Sequence, residues 1–162
     1  YIRSISAEEF ASRSLPFLEQ GLPGHVSRPF DLGYMIKIAP LVQERARTLS
    51  EVPQLVDFFF VDELDYDVSL LQGKLEKQQA VDVLERSLQV LEQLPDWQHE
   101  VMEASIRPLA EDLGLKAGDY FGVLRVAVTG RTVSPPLFQT MEVLGEEKCL
   151  SRLRLAVKKI TD

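Results

Sequence analysis

Two histidines and one cysteine are available for metal or nucleophilic chemistry, and neither type is arranged for it. His25 and His99 lie far apart without clustered ligands, and Cys149 stands alone. The zinc-binding pattern H-E-x-x-H and the nucleophile turn G-x-S-x-G do not occur. Both histidines are therefore expected at the surface. The carboxylate pairs Asp62-Glu63 and Glu146-Glu147 have the type for acid–base work, yet with no recognisable pocket they read as solvated loop charge and as helix-dipole partners. Gly114, Gly118, Gly122 and Gly130 lack the spacing of a dinucleotide or phosphate loop and are assigned to turns. No active site and no metal site emerge from the residues.

The elements that would position any other chemistry are helices. A chain of 162 residues, 45% hydrophobic and 27% charged, is globular and long enough to bury a core of its own. Its longest apolar run, Val56 to Val61, is interrupted by Asp57 and is far too short to span a membrane. No signal-like segment opens it, and the single cysteine forms no internal disulfide, so a cytoplasmic location is expected. The opening Tyr1-Ile2-Arg3 lacks Met and reads as a cut from a longer polypeptide. The net charge is −7, but residues 1–119 carry 11 basic and 21 acidic residues and residues 120–162 carry 7 and 4. The average argues against indiscriminate nucleic-acid binding, and the gradient means that the two parts face different partners electrostatically.

Helical spacing predicts a first helix over Ala7 to Leu18, entered by Ser6 and Glu9 in capping-box order. A loop over Gln20 to Pro29 precedes a helix capped by Asp31 and bearing Met35, Ile38, Leu41 and Val42, with a kink at Pro40. A short helix should run from Ser50 into Phe58-Phe59-Phe60, ahead of a solvent-facing acidic loop over residues 62–67. Two antiparallel amphipathic helices follow, Lys77 to Leu94 and Trp97 to Leu113, the second capped by Asp96 and stopped by Gly114, with Trp97 in the core. Val123 to Thr129 alternates like a strand but has no partner strand, so it is expected to be helical through packing. Ser134-Pro135 has the form of a helix start, Gly145 of a stop, and Glu146 to Ile160 of a final dipole-matched helix. The fold class expected is all-α.

One stretch stands out: Leu124-Arg125-Val126-Ala127-Val128-Thr129-Gly130-Arg131, then Ser134-Pro135-Pro136-Leu137, Val143-Leu144-Gly145 and Leu150-Ser151-Arg152-Leu153. This resembles the L-R-x-A-x-T-G … [ST]-P-x-L … L-G … L-x-R-[LI] pattern in the anticodon-binding region of bacterial-type glutamyl-tRNA synthetases. The likeness continues upstream through Trp97, Gly114-Leu115-Lys116-Ala117-Gly118, Glu44-Arg45-Ala46-Arg47-Thr48-Leu49 and the opening Tyr-Ile-Arg, and so covers nearly the whole chain.

The resemblance implies a helical anticodon-binding module of two small subdomains. Residues 1–114 would hold the first-base reader and residues 115–162 the reader of the second and third bases. It implies tRNA for glutamate as partner, together with a catalytic domain on the same polypeptide. Family members activate glutamate with ATP and magnesium through H-I-G-H-like and K-M-S-K-S-like motifs on a Rossmann-type domain. Neither motif occurs here, so no ligase activity and no cofactor are expected of this chain alone. By position, the readers would be Arg125, Ser134, Pro135 and Leu137 for the second and third bases and Arg45 for the first. Arg47, Arg131 and Arg152, with Arg154, Lys158 and Lys159, would approach the RNA backbone.

The chemistry suits these roles. Anticodon bases are unstacked, with edges open to hydrogen bonds and faces open to apolar contact. Arg125 offers a planar fork of donors, Ser134 a hydroxyl for a base, for its own helix start, or for both, and Pro135 and Leu137 apolar walls. Many relatives have Thr where this chain has Ser134, and Pro136 replaces a frequent Gly. In the family that the chain resembles, an Arg at the place of Arg45 is associated with preference for C as first base, which separates glutamate from glutamine anticodons, so the resemblance implies that discrimination here; Arg47, two residues on, is the other register. The competing readings are an Arg125 ion pair with Glu142 or Glu146, a basic tail that is only a solvated helix end, and a helical protein-interaction module without RNA binding.

Overall fold

The structure is a computed structural model that describes residues 2–162; of the opening Tyr-Ile-Arg, Tyr1 lies outside the described residues. Among the described residues it is all helix, with no strand. Packing divides the chain into two compact units, one ending at Asp62 and the other running Glu63–Asp162.

The first unit is built on α1 (Ala7–Gly21), α2 (Leu32–Val42) and α3 (Val52–Phe60), with short 3-10 turns at Ile2–Ser4 and Leu49–Glu51. Helix α1 starts where expected because the Ser6 hydroxyl accepts the Glu9 N–H at 3.1 Å. Asp31 does the same for Tyr34 at 3.3 Å, starting α2, within which Pro40 lies. Phe10, Ala11 and Leu18 of α1 are fully buried, as are Met35 and Ile38 of α2 and Val56 and Phe59 of α3. The loop between α1 and α2 is organised by Arg28, whose guanidinium donates to the carbonyls of Glu19, Leu22, Pro23 and Val26 at 2.7–3.2 Å. Five donors in a rigid fork suit arginine to that task.

The second unit contains α4 (Ser69–Gln72), α5 (Lys77–Leu91), α6 (His99–Asp112), α7 (Ala117–Thr129), α8 (Leu137–Leu144) and α9 (Glu146–Thr161). Helix α5 packs on α6, α7 and α9 around Val83, Leu84, Leu91 and Tyr120. The Tyr120 hydroxyl reaches Ser87 Oγ at 2.6 Å, and Trp97, half-buried, donates its indole N–H to the Met141 carbonyl at 2.8 Å. These bonds cross residue 114, so the expected 114/115 division falls inside this unit. The physical reason is that the apolar stripes of α5 and α6 face α7, α8 and α9 and share one core with them.

Val123–Thr129 lies within α7, as expected, and five of its seven residues are at most 2% exposed apolar groups. Burial outweighs the modest helix penalty of branched residues. Three local expectations need correction. Gly118 and Gly122 sit inside α7 and not in turns, with open space where a Cβ would stand. Asp96 does not cap α6: the cap position is Gln98, and the His99 N–H is taken by the Glu142 carboxylate of α8 at 2.8 Å. Helix α8 begins at Leu137, not at Ser134-Pro135. Each proline forces its predecessor out of helical geometry, so Pro135 excludes Ser134 and Pro136 excludes Pro135.

Candidate nucleic-acid interface

Helix α7 carries Arg125 one turn before its end and stops at Gly130, whose φ of +74° is left-handed. A glycine adopts that conformation without the strain a side chain would bring. The Thr129 hydroxyl donates back to the Arg125 carbonyl at 2.7 Å and accepts the Arg131 N–H at 3.2 Å, turning the chain sharply out of the helix. The turn that follows exposes Thr132 and Val133, the latter 74% exposed, before it plunges back to the buried Ser134 and Pro135.

Arg125 and Ser134 are brought together. Arg125 Nε donates to Ser134 Oγ at 3.0 Å, and the same hydroxyl donates to the Pro135 carbonyl at 2.8 Å. Ser134 is therefore a brace for the guanidinium and not a helix cap. Leu137 is 4% exposed and Pro135 is buried, so both are largely packed within the protein. Glu142, one of the two carboxylates weighed as an Arg125 partner, is bonded to His99.

Arg152, expected on the RNA backbone, is 3% exposed, and its Nη1 donates to the Val128 carbonyl at 2.6 Å. Burial leaves no surface for a phosphate; Arg152 satisfies a carbonyl at the end of α7, which has no partner within its own helix. Lys159 likewise turns inward, donating to the Leu64 carbonyl at 3.2 Å. Arg154 is exposed and faces Glu92 at 3.5 Å, Lys158 is exposed, and Arg131 is half-buried in the turn.

In the first unit, Arg45 and Arg47 are both exposed, and neither is on a continuous helix face, because α2 has already ended. They flank Ala46, which is buried and whose N–H returns to the Val42 carbonyl at 3.1 Å. The Arg47 N–H is held by the Glu51 carboxylate at 2.8 Å, and its side chain borders a hollow of about 400 Å³ with Arg13, Phe17 and Leu49. Arg45 does not border it.

The groups first considered for catalysis are accounted for structurally. Burial pushes the Cys149 thiol up to about 12, leaving it unreactive at neutral pH. His25 is exposed as expected, whereas His99 is half-buried between Glu100 at 2.8 Å and Glu142 at 3.1 Å. The acids of residues 62–67 are exposed, as expected. Among the described residues no three His, Cys, Asp or Glu side chains converge to hold a metal, and no helix is long and apolar enough to cross a membrane. Val133 is an exposed apolar residue in a turn, outside any helical period, between a left-handed glycine and a double proline, and was not among the residues singled out above.

Known proteins carry the same architecture. The chain is 44% identical over its whole length to a glutamate–tRNA ligase of Dehalococcoides mccartyi strain BAV1, of which it covers 34%. It is 43% identical over 97% of its length to one from Roseiflexus castenholzii, of which it covers 31%. It thus spans about a third of the length of the curated relatives it matches. The crystal structure of a glutamate tRNA ligase from Elizabethkingia meningosepticum, in complex with its amino acid, superposes with a TM-score of 0.78 over 99% of this chain and 30% of that one. The identity there is 24%, which speaks to the fold alone. A family model described as the anticodon binding domain matches residues 9–157, and with nearly the whole length accounted for in this way, the chain belongs to the anticodon-binding domain family.

Proposed function

We propose that this chain reads the anticodon loop of tRNA for glutamate, as part of a glutamate–tRNA ligase. The joining of glutamate to tRNA, with ATP and magnesium, would take place on a catalytic domain of the same polypeptide, in the cytoplasm. The observation that carries the reading is the braced Arg125 beneath an exposed turn. A base edge is distinguished by donors held in a set plane, and the Nε bond to Ser134 limits rotation of the guanidinium. Val133, which precedes Ser134 in the chain, offers an exposed apolar surface to an unstacked base. Arg131 and Arg47 supply charge for the phosphates, and Arg45 is the reader of the first base.

The division of labour follows from chemistry. Phosphate contacts give affinity and salt dependence without sequence information, while edge contacts give sequence. Binding of glutamate-type anticodon stem-loops, altered one base at a time, tests the reading. Single-base changes should cost about 1–3 kcal/mol, and Arg125→Ala should abolish most of that difference for the second and third bases. Equal binding of all loops by the wild-type chain would refute it and direct attention to a protein partner instead.

A further inference from the structure

The acidic segment that opens the second unit has a second face. Glu63, Asp65 and Asp67 are exposed, whereas the intervening Leu64 and Tyr66 are half-buried. Lys159, near the end of α9, holds this segment in two ways: Nζ donates to the Leu64 carbonyl at 3.2 Å and stands 4.1 Å from the centre of the Tyr66 ring. An ammonium over an aromatic face is a favourable electrostatic contact, and stronger where water is partly excluded. Burial also pushes the Tyr66 phenol up to about 12, in keeping with a ring seated against the protein.

What the segment covers is Gly130. A Cβ there would lie 3.4 Å from Tyr66 Cδ1 and 3.7 Å from Leu64 Cβ, so the two side chains stand over the side of the residue that ends α7 and opens the exposed turn, where a larger residue would meet them. Arg152 holds the Val128 carbonyl, and Thr129 ties Arg125 to Arg131. Gly130 is thus held by its own helix, by α9 and by a strap that Lys159 keeps in place. We propose that Lys159, with Tyr66, is a positioning residue for base reading: it clamps the 63–67 strap over Gly130, so setting the turn that carries Arg131 to Ser134, and does not itself bind RNA. This rests on the anticodon reading above.

The two roles open to a lysine in an RNA-binding protein leave different signatures. A phosphate ligand adds to affinity for every loop equally, and its loss flattens the dependence of log affinity on log salt by roughly 0.7–0.9. A positioning residue affects discrimination and leaves that slope unchanged. The experiment measures binding of the cognate stem-loop and its single-base variants across a salt series, using the chain with Lys159→Met, Lys159→Arg, Tyr66→Leu and Tyr66→Phe, each checked for helicity. Lys159→Met and Tyr66→Leu should reduce the preference for the cognate loop roughly fivefold with an unchanged slope, a shift of about 1 kcal/mol. Lys159→Arg and Tyr66→Phe, which keep a cation over a ring, should behave as wild type. A flattened slope with preserved discrimination would overturn the proposal by making Lys159 a phosphate ligand. Lower thermal stability with unchanged discrimination would overturn it by making the clamp structural only. If Lys159→Met fails to fold, Tyr66→Leu decides by the same two readouts. Wild-type protein without base preference would instead overturn the anticodon reading, and this inference with it.

Discussion

Arg125 Nε and Ser134 Oγ are 3.0 Å apart, joining the last turn of α7 to the residue that re-enters the core nine positions later. The hydroxyl accepts from the guanidinium and donates to the Pro135 carbonyl, so it is committed on both sides. Ser134→Ala should therefore lower discrimination among anticodon loops while leaving the fold intact, at a cost of about 1 kcal/mol in stability for the lost bonds. Ser134→Thr restores the hydroxyl and should recover discrimination. Stem-loop binding with a parallel thermal melt separates the two effects.

The buried pair Ser87–Tyr120 makes the second prediction. Both residues are fully buried, with the hydroxyls 2.6 Å apart and the Val83 carbonyl 3.4 Å from the phenol oxygen. Ser87→Ala strands a phenol in the core with only that long bond and should cost about 1–3 kcal/mol. In the double-mutant cycle with Tyr120→Phe the losses should be less than additive, since either change removes the same interaction. Additive losses in chemical denaturation would show that the pair is not coupled.

Glu142 caps α6 from another helix. Its bond from the His99 N–H holds the carboxyl below its ordinary value of 4.5, with the His99 ring adding to the effect. A depressed carboxyl contributes stability that is present above the ordinary pKa and is lost as pH falls through the lower, folded value. Melting temperature of the wild type should thus fall more steeply below about pH 4.5 than that of Glu142→Gln. At pH 7 the variant should be less stable by roughly 0.5–1 kcal/mol, the lower part of the range for a lost cap, because the carboxylate is partly solvated.

Gly21 is required for a close approach within the first unit. A Cβ there would stand 2.6 Å from Pro53 Cγ, and the pyrrolidine ring cannot swing aside. Alanine ordinarily gains up to about 1 kcal/mol over glycine in a helix. Here the clash should outweigh that gain, leaving Gly21→Ala destabilised by about 1–2 kcal/mol in a denaturant titration.

How far these relations could be read in advance depends on whether their cause was local. The Ser6 and Asp31 caps, the Gly114, Gly130 and Gly145 turns and the amphipathic stripes follow from neighbouring residues, and they were legible. The late start of α8 was also legible, since Pro136 alone bars Pro135 from a helix. So was the burial of Arg152: Cys149, Leu153, Ala156 and Ile160 define a buried stripe on α9, and position 152 lies on it. What was not legible was non-local. The Glu142 cap on α6 and the Lys159 clamp on Leu64 and Tyr66 join residues far apart in sequence, and no spacing rule pairs them. The pairing of Arg125 with Ser134 lies between these cases, with both residues singled out but the hydroxyl given a base, a helix start, or both, and not a guanidinium to hold.

The most direct measurement of the central claim is a titration of ¹⁵N-labelled protein with a glutamate-type anticodon stem-loop, followed by amide and arginine side-chain resonances. The account predicts that the largest shifts fall on Thr129 to Val133 and on Arg125 Nε–H, and that they weaken when the second or third anticodon base is changed. Shifts confined to other surfaces, or identical for every loop, would contradict it.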